Sequence, residues 1–256
     1  MEITSRGPRQ YVGVSTKMYL GYQASLDWLA GVRNEVLARP ALAGTVDVFV
    51  APSFPVLESA RRILDGSGVL LSAQNSSAEG GALTGEVSPA ILAELGVELV
   101  ELGHAERRRL FGEDDDVVAL KTAAVAAAGM TPLLCIGEIE QHSAAESVDF
   151  CFQQVRSALG GTLSPEAVVL AYEPVWAIGA GKPAPPAYVN DVVGGLRKRL
   201  AEHSGGSGPA IVYGGSDGPG LLPRLESVDG LFLGRFAHDP ANFGAVLDEA
   251  LARAGQ

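Results

Sequence analysis

An alternation constrains this chain more than any other feature. Eight short apolar runs rich in β-formers recur at Tyr11–Ser15, Val46–Val50, Val69–Ala73, Glu98–Leu102, Pro132–Ile136, Val168–Tyr172, Ala210–Tyr213 and Gly230–Leu233. Stretches of helical composition lie between them. Ala24–Ala38 carries Leu26, Leu29, Val32 and Val36 at helical spacing. Ala119–Ala128 is nearly all good helix formers, and Asn190–His203 sets Val192, Val193, Leu196 and Leu200 on one side. The cations Arg197, Lys198 and Arg199 come late in that segment, where they suit the helix dipole. The order reads β then α, eight times. Strands this apolar are buried on both faces, which is the pattern of a parallel sheet. Eight such units in about 250 residues is the arithmetic of a closed (β/α)8 barrel. The competing arrangement, an open doubly wound sheet, usually has fewer strands and one ligand site at a switch point. No linker or abrupt shift in composition divides the chain. The expected fold is therefore α/β, a single barrel domain over residues 1–256.

The formal net charge is −11. This argues against a general nucleic-acid binder, which needs a basic surface. It leaves room for an anionic small ligand in a locally positive pocket. Cys135 and Cys151 form no CxxC pair and have no metal-spaced histidines nearby, so neither zinc nor a disulfide framework is expected. No apolar run is long enough to span a membrane. The first ten residues, MEITSRGPRQ, are polar and unlike a signal peptide. A cytoplasmic protein is the expectation.

In a barrel of this kind, chemistry sits at the C-terminal ends of the strands. The residues just past the apolar runs include Lys17, Gln74–Asn75, His104, Glu173, Gly214–Gly215–Ser216 and Gly234–Arg235. Lys17 suits an anion or developing negative charge, though a lone lysine is often only a surface residue. His104 follows Gly103 at a strand end, and otherwise reads as a core histidine satisfied by hydrogen bonds. Glu173 ends an apolar strand before Pro174. Partial desolvation there raises a carboxylate toward a useful base, with a buried ion pair as the alternative. From Pro174, Val175 and Trp176 to Ala180, Gly181 and Lys182 the chain has one stiff end and one loose end. That suits a hinged lid or, more simply, an ordinary βα loop. The string GAGKPA is not a P-loop, because Pro183 stands where Ser or Thr is needed. Gly214–Gly215–Ser216 and Gly234 offer bare backbone N–H groups, the usual phosphate cradle of such barrels.

With these residues in view, the chain resembles the triosephosphate isomerase family. The matching strings are Ala73–Gln74–Asn75, Leu83–Pro89, Glu101–Arg108 (ELGHAERR), Cys135–Glu138, Ala171–Gly179 (AYEPVWAIG) and Tyr213–Ser216, in the family's order over nearly the whole chain. The resemblance implies a TIM barrel and an aldose–ketose isomerase that needs no metal or cofactor. It implies Glu173 as the base, His104 as the neutral electrophile and Lys17 as the stabiliser of enediolate and phosphate. It places Gly179, Ser216, Gly234 and Arg235 around the phosphate and residues 174 to 182 as the closing lid. It also implies a homodimer, in which the loop at about Gln74–Glu86 brings Thr84 near the neighbouring active site. Leu83 sits where the family commonly has an aromatic residue.

Three departures matter, the first two for substrate choice. The family's Asn-x-Lys reads Ser15–Thr16–Lys17 here, its Gly-Gly after the eighth strand reads Gly234–Arg235, and Ala105 replaces a serine after the histidine. The first two look more like a side branch of the family that isomerises four-carbon tetrulose phosphates in the catabolism of polyols such as erythritol. The expected substrates are thus a triose phosphate of glycolysis and gluconeogenesis or a tetrulose phosphate. A non-catalytic phosphosugar-binding barrel is the alternative of another class, and the intact Lys17, His104 and Glu173 argue against it.

Overall fold

The computed structural model of the protein describes residues 9–178, 183–215 and 218–255. Its strands are β1 (Gln10–Ser15), β2 (Val46–Ala51), β3 (Leu70–Ala73), β4 (Leu99–Leu102), β5 (Thr131–Ile136), β6 (Val169–Tyr172), β7 (Ala210–Tyr213) and β8 (Gly230–Leu233). All eight pair in parallel with their chain neighbours, and β8 returns to β1, so the sheet closes into a barrel. Each strand end falls within one residue of its apolar run, because the parallel staves are covered on both sides.

Alternation along each strand divides the core. Val12, Val14, Val100 and Leu102 face outward into the layer shared with the helices. Phe49, Leu99, Leu133, Ala171, Val212 and Phe232 face inward and fill the barrel. Phe49 and Phe232 stack at 5.5 Å between centroids. Gly13 makes room for them, since a Cβ there would lie inside the Phe49 ring.

The outer ring comprises α1 (Tyr22–Leu37), α2 (Leu57–Leu64), α3 (Pro89–Glu94), α4 (Ala105–Phe111), α5 (Asp115–Ala127), α6 (Ala144–Leu159), α7 (Pro186–Ser204) and α8 (Pro240–Ala254). In α1, Leu29, Val32 and Val36 are buried as their spacing predicts, and Trp28 and Ser25 complete the face. Leu26 is only half-buried. Helix α6 begins with a reciprocal capping box between Ser143 and Glu146 and ends on the left-handed Gly160. The alternation is not uniform. Two helices follow β4, whereas among the described residues β7 is followed only by a 3-10 turn at Leu222–Arg224. Pro219, Gly220 and Pro223 crowd that stretch and oppose a longer helix. No helix among the described residues is long and apolar enough to cross a membrane.

Candidate functional site

The barrel brings Lys17, His104 and Glu173 to one rim, from the ends of β1, β4 and β6. Lys17 has φ 48°, the only left-handed non-glycine backbone among the described residues. Such a conformation costs on the order of 1–3 kcal/mol and persists only where neighbours hold it. Its carbonyl accepts hydrogen bonds from Ser53 Oγ at 2.7 Å and Gln74 Nε2 at 2.8 Å. The strained backbone is thereby pinned, and the side chain turns into the barrel mouth. Lys17 Nζ lies 2.6 Å from Glu106 Oε1. Burial pulls the ammonium pKa down, but the hydrogen bond and charge of Glu106 outweigh it and hold the group protonated.

His104 caps α4. Its Nδ1 accepts the Glu106 backbone N–H at 3.0 Å. A ring that accepts at Nδ1 carries its proton at Nε2. Burial, and then the charge of Lys17, bring its pKa down to about 4. The imidazole is therefore neutral at physiological pH and presents Nε2–H to the mouth. Nε2 stands 3.4 Å from Glu173 Oε2.

Glu173 is 4% exposed, and its Oε2 has no hydrogen-bond partner. Burial raises its pKa well above the ordinary 4.5, the nearby Glu101 adds to this, and Lys17 opposes it. Two glycines make its position possible. A Cβ on Gly214 would sit 2.7 Å from Glu173 Cγ, and one on Gly137 would overlap the Glu173 carbonyl. The loops after β5 and β7 are thus bare where they flank the acid.

The segment after Glu173 is anchored at its root. Val175, Trp176 and Ala177 form a 3-10 turn. The Val175 N–H donates to the Glu138 carbonyl at 3.0 Å, and Trp176 Nε1–H donates to Glu138 Oε1 at 2.8 Å. Pro174 leads into the turn. The other expected lid residues, Ala180, Gly181 and Lys182, lie outside the described residues, as do the expected phosphate contacts Gly179 and Ser216.

A cavity of about 440 Å3 occupies the mouth. Ser15, Lys17, His104, Glu173, Gly214, Gly215, Gly234 and Arg235 all line it, so residues far apart in the chain converge as expected. Arg235 is solvent-exposed, and its guanidinium lies 5.5 Å from the centroid of the Tyr19 ring. The arginine is turned toward the mouth. A second cavity of about 850 Å3 shares His104 and Glu173 and runs past Ala105 toward α6. The smaller one combines the cation with bare backbone, the combination that an anionic ligand needs. Thr84 is exposed and lines neither cavity.

The sequence alone gives no role to Glu101, which opens the ELGHAERR string and shares the smaller cavity, or to Tyr19, which supports Arg235. Glu106 lies in the same string, and its pairing with Lys17 appears only in the folded barrel. For Glu101 a signal existed: a carboxylate at an inward position of an otherwise apolar strand.

The chain is similar to known proteins over nearly its whole length. Residues 10–250 match the sequence model of the family described as triosephosphate isomerase. Among curated proteins, the L-erythrulose-1-phosphate isomerase of Pectobacterium atrosepticum is 46% identical over 96% of this chain and 97% of its own length. The L-erythrulose-1-phosphate isomerase of Mesorhizobium japonicum is 38% identical over 94% and 97%. The triosephosphate isomerase of Pseudomonas syringae pv. tomato is 37% identical over 83% and 88%.

Proposed function

The chain belongs to the triosephosphate isomerase family, and from that premise we propose that it isomerises a short ketose phosphate by proton transfer between adjacent carbons. The observation that carries this reading is the contact at 3.4 Å between a buried, underpartnered Glu173 and the neutral His104, beside the cationic Lys17. Glu173 takes the proton from the carbon next to the carbonyl. The electron pair of that C–H bond forms the enediolate, with negative charge on the former carbonyl oxygen. His104 Nε2–H and the Lys17 ammonium stabilise that oxygen. His104 gives its Nε2 proton to that oxygen and takes the proton of the neighbouring hydroxyl, while Glu173 returns its proton to the former carbonyl carbon, which moves the carbonyl by one position. Gly214, Gly215, Gly234 and Arg235 receive the phosphate; Gly179, Ser216 and the far end of the lid expected over 174 to 182 lie outside the described residues.

The substrate favoured here is a four-carbon ketose phosphate of the L-erythrulose 1-phosphate type. Ser15 and Arg235 support it, and so do the names of two relatives matched over nearly their full length. Isomerisation of a triose phosphate is the second reading, supported by the similarity to triosephosphate isomerases. We further propose a homodimer in which the exposed loop carrying Thr84 reaches the neighbouring subunit, and a cytoplasmic location.

The test is turnover of L-erythrulose 1-phosphate and of dihydroxyacetone phosphate, side by side. Faster turnover of the tetrulose is expected. Faster turnover of the triose replaces the first reading with the second. Binding of both without turnover of either rejects the enzyme.

A further inference from the structure

The floor of the substrate cavity holds an acid for which the proton transfer has no use. Glu101 stands on the inner face of β4, three residues before His104 and therefore deeper in the barrel. It is 4% exposed, and its Oε2 has no hydrogen-bond partner. Ser15, itself buried, adjoins the carboxyl from β1. The other inward positions around it, Leu99, Leu133, Ala171 and Phe232, are apolar. An apolar side chain at 101 would pack at no desolvation cost, whereas a buried carboxyl with a vacant acceptor is expensive. Burial lifts its pKa to about 7, against the pull of Ser15 and Lys17. Near neutrality the pair thus offers both a donor and an acceptor, the two things a hydroxyl group requires.

Substrate length supplies the occupant. With its phosphate at the glycine-lined side and its reacting carbons at His104 and Glu173, a triose phosphate ends at the reacting centre. A four-carbon ketose phosphate continues past it by one hydroxymethyl group. Ser15 and Glu101 are the polar groups one layer deeper in the same cavity.

We propose that Glu101 and Ser15 form a subsite for the terminal hydroxymethyl group of a four-carbon ketose phosphate, and that this subsite sets the preference for four carbons over three. The inference rests on the isomerase reading above. Glu101 is a specificity-determining residue in this account, with no part in moving the carbon-bound proton.

The experiment measures kcat and KM of the wild type and of Glu101→Leu, Glu101→Gln and Ser15→Ala, each with L-erythrulose 1-phosphate and with dihydroxyacetone phosphate. Circular dichroism melts verify folding, and the isosteric Glu101→Gln serves should Glu101→Leu fail to fold. In Glu101→Leu, kcat/KM for the tetrulose is expected to fall about 30-fold, mainly through KM, as when one buried hydrogen-bonding group loses its partner. The triose constants should stay within about threefold, because a triose never reaches the subsite. Ser15→Ala should show the same selectivity with a loss of about tenfold, and Glu101→Gln a smaller one. Equal losses with both substrates, or no loss with either, overturn the subsite. A wild type that turns over the tetrulose while the variants keep its substrate ratio overturns the subsite alone. A wild type with no tetrulose turnover overturns the four-carbon reading and the subsite together.

Discussion

Buried carboxylates are treated in opposite ways in two regions of this barrel. Outside the mouth they are partnered. Glu138 is fully buried, and its oxygens accept from Tyr172, Trp176 and Tyr188. Glu113 receives Lys121 at 2.6 Å and Arg107 at 2.6 Å. Burial pushes the Glu113 pKa up, but these two cations outweigh it and the net direction is down. Inside the mouth, Glu173 and Glu101 share with Glu113 an Oε2 that lacks a hydrogen-bond partner, but among the described residues neither pairs with a lysine or arginine, and both are held above the ordinary carboxylate range. Packing and folding favour the first arrangement. The second lowers stability and is retained where a ligand or a proton is to be handled.

The comparison can be broken from either side. The largest expected effect is on activity. Glu173→Gln keeps the shape and removes the base, so kcat should fall by at least about 10³-fold while the melting temperature does not drop. A variant with near-normal turnover would remove Glu173 from the chemistry. Next is Glu138→Ala, which strips the acceptor from three buried or half-buried donors. Denaturant unfolding should show a loss of about 3–4 kcal/mol. A loss below about 1 kcal/mol would mean that the partnered acid contributes little to folding.

The third effect depends on pH. Glu101 has a folded pKa of about 7 and an ordinary value of 4.5. A raised folded pKa contributes stability below the unfolded value, which is lost as pH climbs through the folded one. Wild-type stability should therefore fall between pH 4.5 and pH 7 relative to Glu101→Gln. The two proteins should match near pH 4. By pH 8 the variant should be more stable by on the order of 3 kcal/mol. A difference that stays constant with pH would show Glu101 to be ordinary. The smallest effect concerns the exposed Arg235. Arg235→Ala should raise KM for the phosphorylated substrate about fivefold, an effect that shrinks in high salt. An unchanged KM would leave the guanidinium to its contact with Tyr19 alone.

The fold was legible because burial on both faces writes each stave as an apolar run, and that signal is local. Lys17, His104 and Glu173 were legible for a related reason: polar residues at strand ends stand out against such runs. What was hidden depends on register and convergence. Glu101 looks like an interruption of β4 until the closed sheet shows that it faces the cavity floor beside Ser15. The grip of Glu138 on Trp176 joins residues 38 apart, and the Lys17–Glu106 pair joins residues 89 apart. That only a 3-10 turn follows β7 among the described residues was a local matter, and Pro219, Gly220 and Pro223 carried the warning.

The most direct test of the account is deuterium wash-in at carbon, followed by proton NMR in D2O with L-erythrulose 1-phosphate. The wild type is expected to exchange the proton at the carbon next to the carbonyl at a rate comparable to turnover, and Glu173→Gln to lose both together. Turnover without exchange in the wild type, or exchange that survives in Glu173→Gln, would contradict proton transfer through Glu173.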